Sequence, residues 1–254
     1  MLKSCPNVGI ARDGAILSVI FDRPEKKNAL TGAMYLAATE ALRQAGQDTT
    51  IGAILFAGSG GMFTAGNDIG DFLEASGEPG EFPAFTFIKT LAACETPLVA
   101  AIDGLAIGIG ATMMLHCDLV YAAPGTIFRL PFVDLGLVPE AASSMLLPRR
   151  IGMAKAAEYL LLGEAFDAEE ALRLGLVNAI IPARELRGFA IKRAGRLAAK
   201  PRAAIAATRR LMRGDGQDIQ ARIEEEARLF GIAMRSDEAR AVFAAFMGKA
   251  RKAR

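Results

Sequence analysis

Tryptophan is absent from the sequence, histidine occurs once, and the three cysteines are scattered at Cys5, Cys94 and Cys117. A lone histidine and cysteines at these spacings match no zinc pattern, so no metal site is expected. An odd number of dispersed thiols gives no disulfide framework and fits a reducing compartment. The expectation is a cytoplasmic protein. Charge of one sign is also lacking: 30 Lys and Arg face 28 Asp and Glu, for a net charge of +2. That balance gives no argument for a nucleic-acid partner. Charges interrupt each long apolar run before it reaches membrane-spanning length, and the start of the sequence has no apolar signal core. No membrane partner is expected. The basic tail Lys249–Arg254 is the exception to the even charge; it reads as a solvated terminus or as a contact for an anion.

What is present is ample apolar material: 52% of the 254 residues are hydrophobic and 23% are charged. A chain of this size buries enough surface to need no staples. Ala15–Phe21 reads as a strand, ended by Arg23-Pro24 because proline lacks an N–H and constrains its predecessor. Thr31 caps a helix through Ala45. Further strands are expected at Ile51–Phe56, Pro97–Ile102, Leu119–Ala122, Ile127–Arg129 and Val177–Ile181, with a turn at Gly58–Gly61 and a helix ending near Cys94. From about Ala183 the pattern becomes helical. Ile219, Ile223 and Phe230 share one face, Glu224 and Arg228 are expected to pair outside it, and Ser236 caps a last helix. The organisation is an α/β core, 1–195, followed by a helical region, 196–254.

Three segments carry chemistry. Phe63-Thr64-Ala65-Gly66-Asn67-Asp68-Ile69 and Gly104-Leu105-Ala106-Ile107-Gly108-Ile109-Gly110 are glycine-bearing turns, the second opening a helix-compatible run. The spacing is neither the dinucleotide fingerprint nor a Walker loop. Helix-initial N–H groups lack intrahelical partners and lie at the positive end of the dipole, so a developing oxyanion would be stabilised there. Tight packing turns are the alternative reading of both glycine segments, and Asp68 reads as the cap of a short helix from Ile69. The third segment is Val138-Pro139-Glu140. If buried, Glu140 has a raised pKa suited to a general base; if exposed, it is a first-turn glutamate favoured by a helix dipole. Asp134 is a weaker rival base. His116 reads as structural, and Asp118 as bonded to backbone at a strand start. Arg23, Lys26 and Lys27 lie in a turn that is either solvated or grips a phosphorylated ligand.

In this order and at this spacing, the segments Arg23–Leu30, Phe63–Ile69, Gly104–Asp118, Leu135–Ser144 and Phe246–Lys249 resemble the crotonase, or enoyl-CoA hydratase/isomerase, superfamily. The resemblance implies a spiral of ββα units with C-terminal helices used for trimerisation, as a homotrimer or a dimer of trimers. It implies an acyl-CoA thioester substrate and no separate cofactor, coenzyme A being part of the substrate. By similarity the backbone N–H groups of Asn67 and Ile109 bind the thioester oxygen. The resemblance further places Arg23, Lys26, Asn28, Ala65, Gly66, Asp68, Ile69 and Gly108 along the CoA path, and sets Lys249 toward a CoA phosphate of a neighbouring subunit. The two glutamates of the family's hydratases are missing: their positions hold Thr112 and Phe132. Glu140 matches the single glutamate of one isomerase branch, which moves a 3-enoyl double bond to the 2-position. A hydratase-type lyase and a non-catalytic acyl-CoA-binding homologue are the alternatives. Phe72, Phe85, Phe132 and Leu137 line the acyl pocket or belong to the core.

Overall fold

The structure is a computed structural model describing residues 5–74, 82–214 and 216–252, with side chains described throughout except at 72–74 and 246–252. Nine strands are described: β1 (Val8–Asp13), β2 (Ile16–Phe21), β3 (Ala53–Gly58), β4 (Leu98–Ile102), β5 (Leu105–Ile107), β6 (Leu119–Ala122), β7 (Ile127–Arg129), β8 (Ala165–Asp167) and β9 (Ala179–Ile180). The helices are α1 (Gly32–Gln47), α2 (Ile69–Glu74), α3 (Pro83–Ala93), α4 (Ile109–Thr112), α5 (Ser143–Ile151), α6 (Met153–Leu161), α7 (Ala168–Arg173), α8 (Ala183–Ala198), α9 (Arg202–Arg213), α10 (Gly216–Met234) and α11 (Asp237–Lys252).

Six strands form one sheet in the order β1-β2-β3-β4-β6-β9. β1 is antiparallel to β2, and every other pairing in this sheet is parallel. The alternation of side chains across β2 explains its burial on both faces. Leu17, Val19 and Phe21 join the main core, whereas Ile16 and Ile20 pack with Leu186, Ala190 and Ala194 of α8. The opposite face meets α1, which starts where Thr31 Oγ1 accepts from the Met34 N–H at 3.4 Å. Helix α8 passes through position 195 while packed on the sheet, so the sheet and the helical region share an element.

A second, shorter layer follows the order β5-β7-β8. It is extended by single parallel bridges between Leu30 and Asn67 and between Thr64 and Ala106. The chain therefore repeats one move: a long strand in the large sheet, a short extended segment in the second layer, then a helix. This is the expected ββα spiral, and it brings the two glycine turns side by side although they are far apart in sequence. The Thr64 N–H donates to the Leu105 carbonyl at 2.9 Å, and the Ile107 N–H returns to the Thr64 carbonyl at 3.1 Å.

Several expectations are corrected. β1, β5 and β8 add strands to those read from sequence. β3 begins at Ala53 rather than Ile51 and includes Gly58. Arg228 pairs with Glu225 at 2.9 Å, not with Glu224, which instead lies 3.9 Å from Lys89 on α3. The closer three-residue spacing places Glu225 on the solvent side of α10 with Arg228, while Glu224 leans toward the neighbouring helix. Ile219, Ile223 and Phe230 are buried together, and Ser236 Oγ accepts from the Ala239 N–H at 3.1 Å, both as expected.

Candidate active site

The first glycine turn follows β3. Gly66 has φ +91°, and a Cβ there would sit 3.0 Å from the Ile107 carbonyl oxygen, so both conformation and space call for glycine. The second turn follows β5 and opens α4 at Ile109. Gly108 takes φ 54° and ψ −117°, a region essentially closed to side chains. A Cβ on Gly110 would lie 2.7 Å from Thr64 Cγ2. That absent methyl lets α4 seat directly against the first turn. Among the hydrogen bonds of the described residues, neither the Asn67 N–H nor the Ile109 N–H has an acceptor within the protein. Two backbone donors without partners, on turns locked to one another, have the makings of an anion pocket.

The side chain of Asn67 is spoken for: its Oδ1 accepts from the Tyr35 hydroxyl of α1. Tyr35 is 3% exposed, and its ring lies 5.6 Å from that of Phe87. Burial pushes its phenol well above the ordinary value, with the Glu140 and Asp71 carboxyls adding to the rise. Tyr35 is thus bonded to the first turn and feels the Glu140 carboxyl electrostatically.

Glu140 is 4% exposed, which excludes the exposed first-turn reading; α5 begins only at Ser143. Its Oε1 accepts from Thr112 Oγ1 at 2.5 Å. Its Oε2 is buried without a partner among the described residues. Burial raises its pKa from 4.5 to about 8; the Thr112 hydrogen bond opposes this and the Glu226 carboxyl adds to it. Thr112 lies at the end of α4, the helix that begins with the Ile109 donor. Thr112 is therefore a hydrogen-bond donor to Glu140. Phe132 is 5% exposed within the main core.

After Glu140 the backbone makes an unusual turn. Ala141 and Ala142 both have positive φ, at 59° and 54°. His116 Nε2 lies 2.8 Å from the Ala141 carbonyl oxygen. Because a carbonyl only accepts, Nε2 carries the proton. Burial lowers the His116 pKa to about 4, so the ring is neutral, a structural role as expected. Asp118 accepts from the Leu98 N–H at 2.7 Å, again as expected, and also pairs with Arg209 and Arg213 of α9, each at 2.9 Å. Asp134 is on the surface, paired with Arg129 at 2.9 Å, and does not reach this centre.

The candidate ligand-path residues are placed as follows. Arg23 pairs with Asp68 at 2.7 Å and donates to the Ala29 carbonyl at 3.1 Å. Asp68 also caps α2 through the Asp71 N–H at 3.2 Å, and its carboxyl is held below the usual range by Arg23 and these backbone donors against the opposing effect of burial. Asn28 is fully buried. Its side chain accepts from the Arg23 N–H at 2.7 Å and donates to the Ser59 and Met62 carbonyls at 3.0 and 2.6 Å. It shapes the loop; its amide is not free for a ligand. Lys26 is exposed, Gly66 is buried, and Ala65, Ile69 and Gly108 are half-buried around the first and second turns. Phe85 and Leu137 belong to the core, at 2% and 7% exposure. The side chains of Phe72 and Lys249 lie outside the described residues. Among the described residues no cluster of three or more His, Cys, Asp or Glu could hold a metal ion, and no helix is long and apolar enough to cross a membrane.

Comparison with known proteins bears on the family and the fold. A family model described as enoyl-CoA hydratase/isomerase matches residues 11–253. Enoyl-CoA delta isomerase 2 of Rattus norvegicus is 39% identical over 179 residues, covering 68% of this chain and 46% of its own length. This chain thus spans about half the length of that relative. A probable enoyl-CoA hydratase of Rhodobacter capsulatus is 35% identical over 242 residues, covering 91% of each chain. The crystal structure of an enoyl-CoA hydratase/isomerase from Pseudoalteromonas atlantica superposes with a TM-score of 0.91 at 39% identity, covering 96% of this chain and 97% of that one.

Proposed function

The chain belongs to the enoyl-CoA hydratase/isomerase family, and from that premise we propose that it is an enoyl-CoA isomerase moving a 3-enoyl double bond to the 2-position. The observation that carries this reading is the buried carboxyl of Glu140, with one oxygen held by Thr112 and the other without a partner among the described residues. Isomerisation needs one base that can give back what it takes. Glu140 removes a proton from C2 of the thioester. Negative charge moves onto the thioester oxygen, where the Asn67 and Ile109 N–H groups receive it. The protonated Glu140 then delivers the proton to C4. Atoms and charge balance with no redox change, and coenzyme A enters only as part of the substrate.

Oxyanion donors of this kind are typically worth about 3–4 kcal/mol each. The elevated pKa of the base suits abstraction of a weakly acidic carbon proton, since a stronger base narrows the gap to the carbon acid. Outside the reacting centre, the proposal assigns the CoA path to the Arg23–Asn28 loop with its exposed Lys26, and to Ala65, Gly66, Asp68, Ile69 and Gly108; Lys249 is assigned to a CoA phosphate by the family resemblance alone. Assembly as a homotrimer or a dimer of trimers in the cytoplasm is part of the same proposal, and the exposed Leu211 and Met212 on α9, at 83% and 81%, offer apolar surface to a subunit contact.

Hydration is the second reading, favoured by the 91% coverage of the Rhodobacter capsulatus hydratase. Against it, water addition needs acid and base help at both carbons, and Thr112 and Phe132 offer no second carboxyl. The test is incubation of the protein with 3-hexenoyl-CoA and, separately, 2-hexenoyl-CoA, with products resolved by mass and retention time. Conversion of the 3-enoyl to the 2-enoyl ester supports isomerisation. Formation of 3-hydroxyhexanoyl-CoA without isomerisation assigns the site to hydration instead.

A further inference from the structure

Glu226 is the second buried carboxylate of the molecule's centre, and the chemistry above does not use it. It lies on α10 and is 4% exposed. Its neighbours Ile219, Ile223, Ala227 and Phe230 are the apolar face that docks α10 on the core. A charge on that face is costly unless its oxygens are satisfied, and they are. The Ala142 N–H donates to Oε2 at 2.6 Å, and both the Ser144 N–H and the Ser144 hydroxyl donate to Oε1, at 3.1 and 2.5 Å. These donors lie in the turn that follows Glu140 and in the first residues of α5, which it opens.

Within itself the turn is closed by one backbone bond, from the Ser143 N–H to the Glu140 carbonyl at 3.0 Å. The left-handed region strains non-glycine residues, and Ala141 and Ala142 occupy it in succession. The surroundings must over-determine such a conformation for it to persist. His116 fixes the Ala141 carbonyl from one side. Glu226 fixes the Ala142 and Ser144 N–H groups from the other.

We propose that Glu226 is a positioning residue for Glu140: by bonding the Ala142–Ser144 backbone it sets where the base carboxyl stands, and so makes a competent site conditional on the docking of α10. The inference rests on Glu140 being the base. Glu226 also acts at a distance, because its charge adds to the rise in the Glu140 pKa. The other groups facing Glu140 are Thr112 from α4 and Tyr35 from α1. Those facing Glu226 are Ser144, the Ala142 N–H and Arg222 of its own helix.

The experiment compares Glu226→Gln, Glu226→Ala and Ser144→Ala with wild type. Two readouts are taken: titration of the Glu140 carboxyl by carbon NMR of glutamate-labelled protein, its signal assigned with Glu140→Gln, and kcat and KM for 3-hexenoyl-CoA above pH 9, where the base is ionised throughout. Glu226→Gln is expected to lower the Glu140 midpoint below about 8 and to reduce kcat about 10- to 100-fold with KM within about twofold, the scale of a sub-ångström misplacement. Ser144→Ala, which leaves the fold and the charge in place, is expected to lower kcat severalfold. An unmoved Glu140 midpoint with unchanged kcat and KM, or a fall in melting temperature alone, would make Glu226 a fold residue only and overturn the proposal. If wild type isomerises nothing, the proposed function fails, but the titration still decides this point: a lowered midpoint supports the placement of Glu226, and an unchanged one refutes it.

Discussion

Replacing Glu140 by glutamine should stabilise the protein, and by an amount that depends on pH in a defined way. Burial raises the Glu140 pKa from 4.5 to about 8. In the unfolded chain the group ionises near its ordinary value, whereas in the folded protein it resists ionisation. A raised folded-state pKa contributes stability that is fully present below the unfolded value and is lost as pH rises toward the folded one. At about 1.36 kcal/mol per unit of pH, the loss reaches about 3 kcal/mol at pH 7 and levels off near about 5 kcal/mol above pH 8. Glutamine keeps the shape and can still accept from Thr112, but it never ionises. The difference between Glu140→Gln and wild type should therefore be small at pH 4.5, grow through neutrality and saturate near pH 8. Urea unfolding at a series of pH values, followed by far-UV circular dichroism, measures it directly. A constant difference across that range would refute the burial argument, and a variant less stable than wild type at pH 8 would show that the carboxylate form is the one the fold favours.

Other perturbations follow from the same geometry. The kcat/KM for a 3-enoyl-CoA should rise with pH through an apparent pKa near about 8, because only the ionised base can take a proton; a flat profile between pH 6 and 9 contradicts this. Thr112→Val removes a bond that lowers the Glu140 pKa, so the rising limb should move to higher pH, and a move to lower pH would refute the assignment. Gly110→Ala places a methyl 2.7 Å from Thr64 Cγ2 and should cut kcat by roughly 100-fold or more by parting the two donor turns, with near-normal turnover as the refuting result. Tyr35→Phe removes only the bond to the Asn67 side chain. Because the donor is a backbone N–H, the expected fall in kcat is severalfold, and a loss as large as that of Gly110→Ala would show that the side chain itself takes part.

The parts of the fold legible in sequence are those whose signal is local. The apolar runs at Ile16–Phe21 and Leu98–Ile102 are buried on both faces and read as strands by themselves. Thr31 and Ser236 announce their helices because a cap acts over three residues. β1 is mostly exposed and β5 and β8 are three residues each, so their extended state comes from pairing with β2 and β7 rather than from pattern. The site divides in the same way. The glycine turns and Glu140 stand out as motifs. Thr112, Tyr35 and Glu226 do not, since each acquires meaning through a partner 28, 32 or 84 residues away. For Glu226 a signal was present: among Glu224–Glu226 it alone falls on the face shared by Ile219, Ile223 and Phe230. A carboxylate on the buried side of an amphipathic helix asks for a partner. Asn28 shows the converse, a motif residue whose amide is consumed by its own loop.

The most direct test of the central claim is turnover of 3-hexenoyl-CoA by Glu140→Gln beside wild type, with acyl-CoA binding measured separately by calorimetry. The account predicts that the variant binds the thioester about as well as wild type and forms no 2-hexenoyl-CoA above the uncatalysed rate. Isomerisation that survives the substitution would contradict it, and would leave the family and the fold standing without this base.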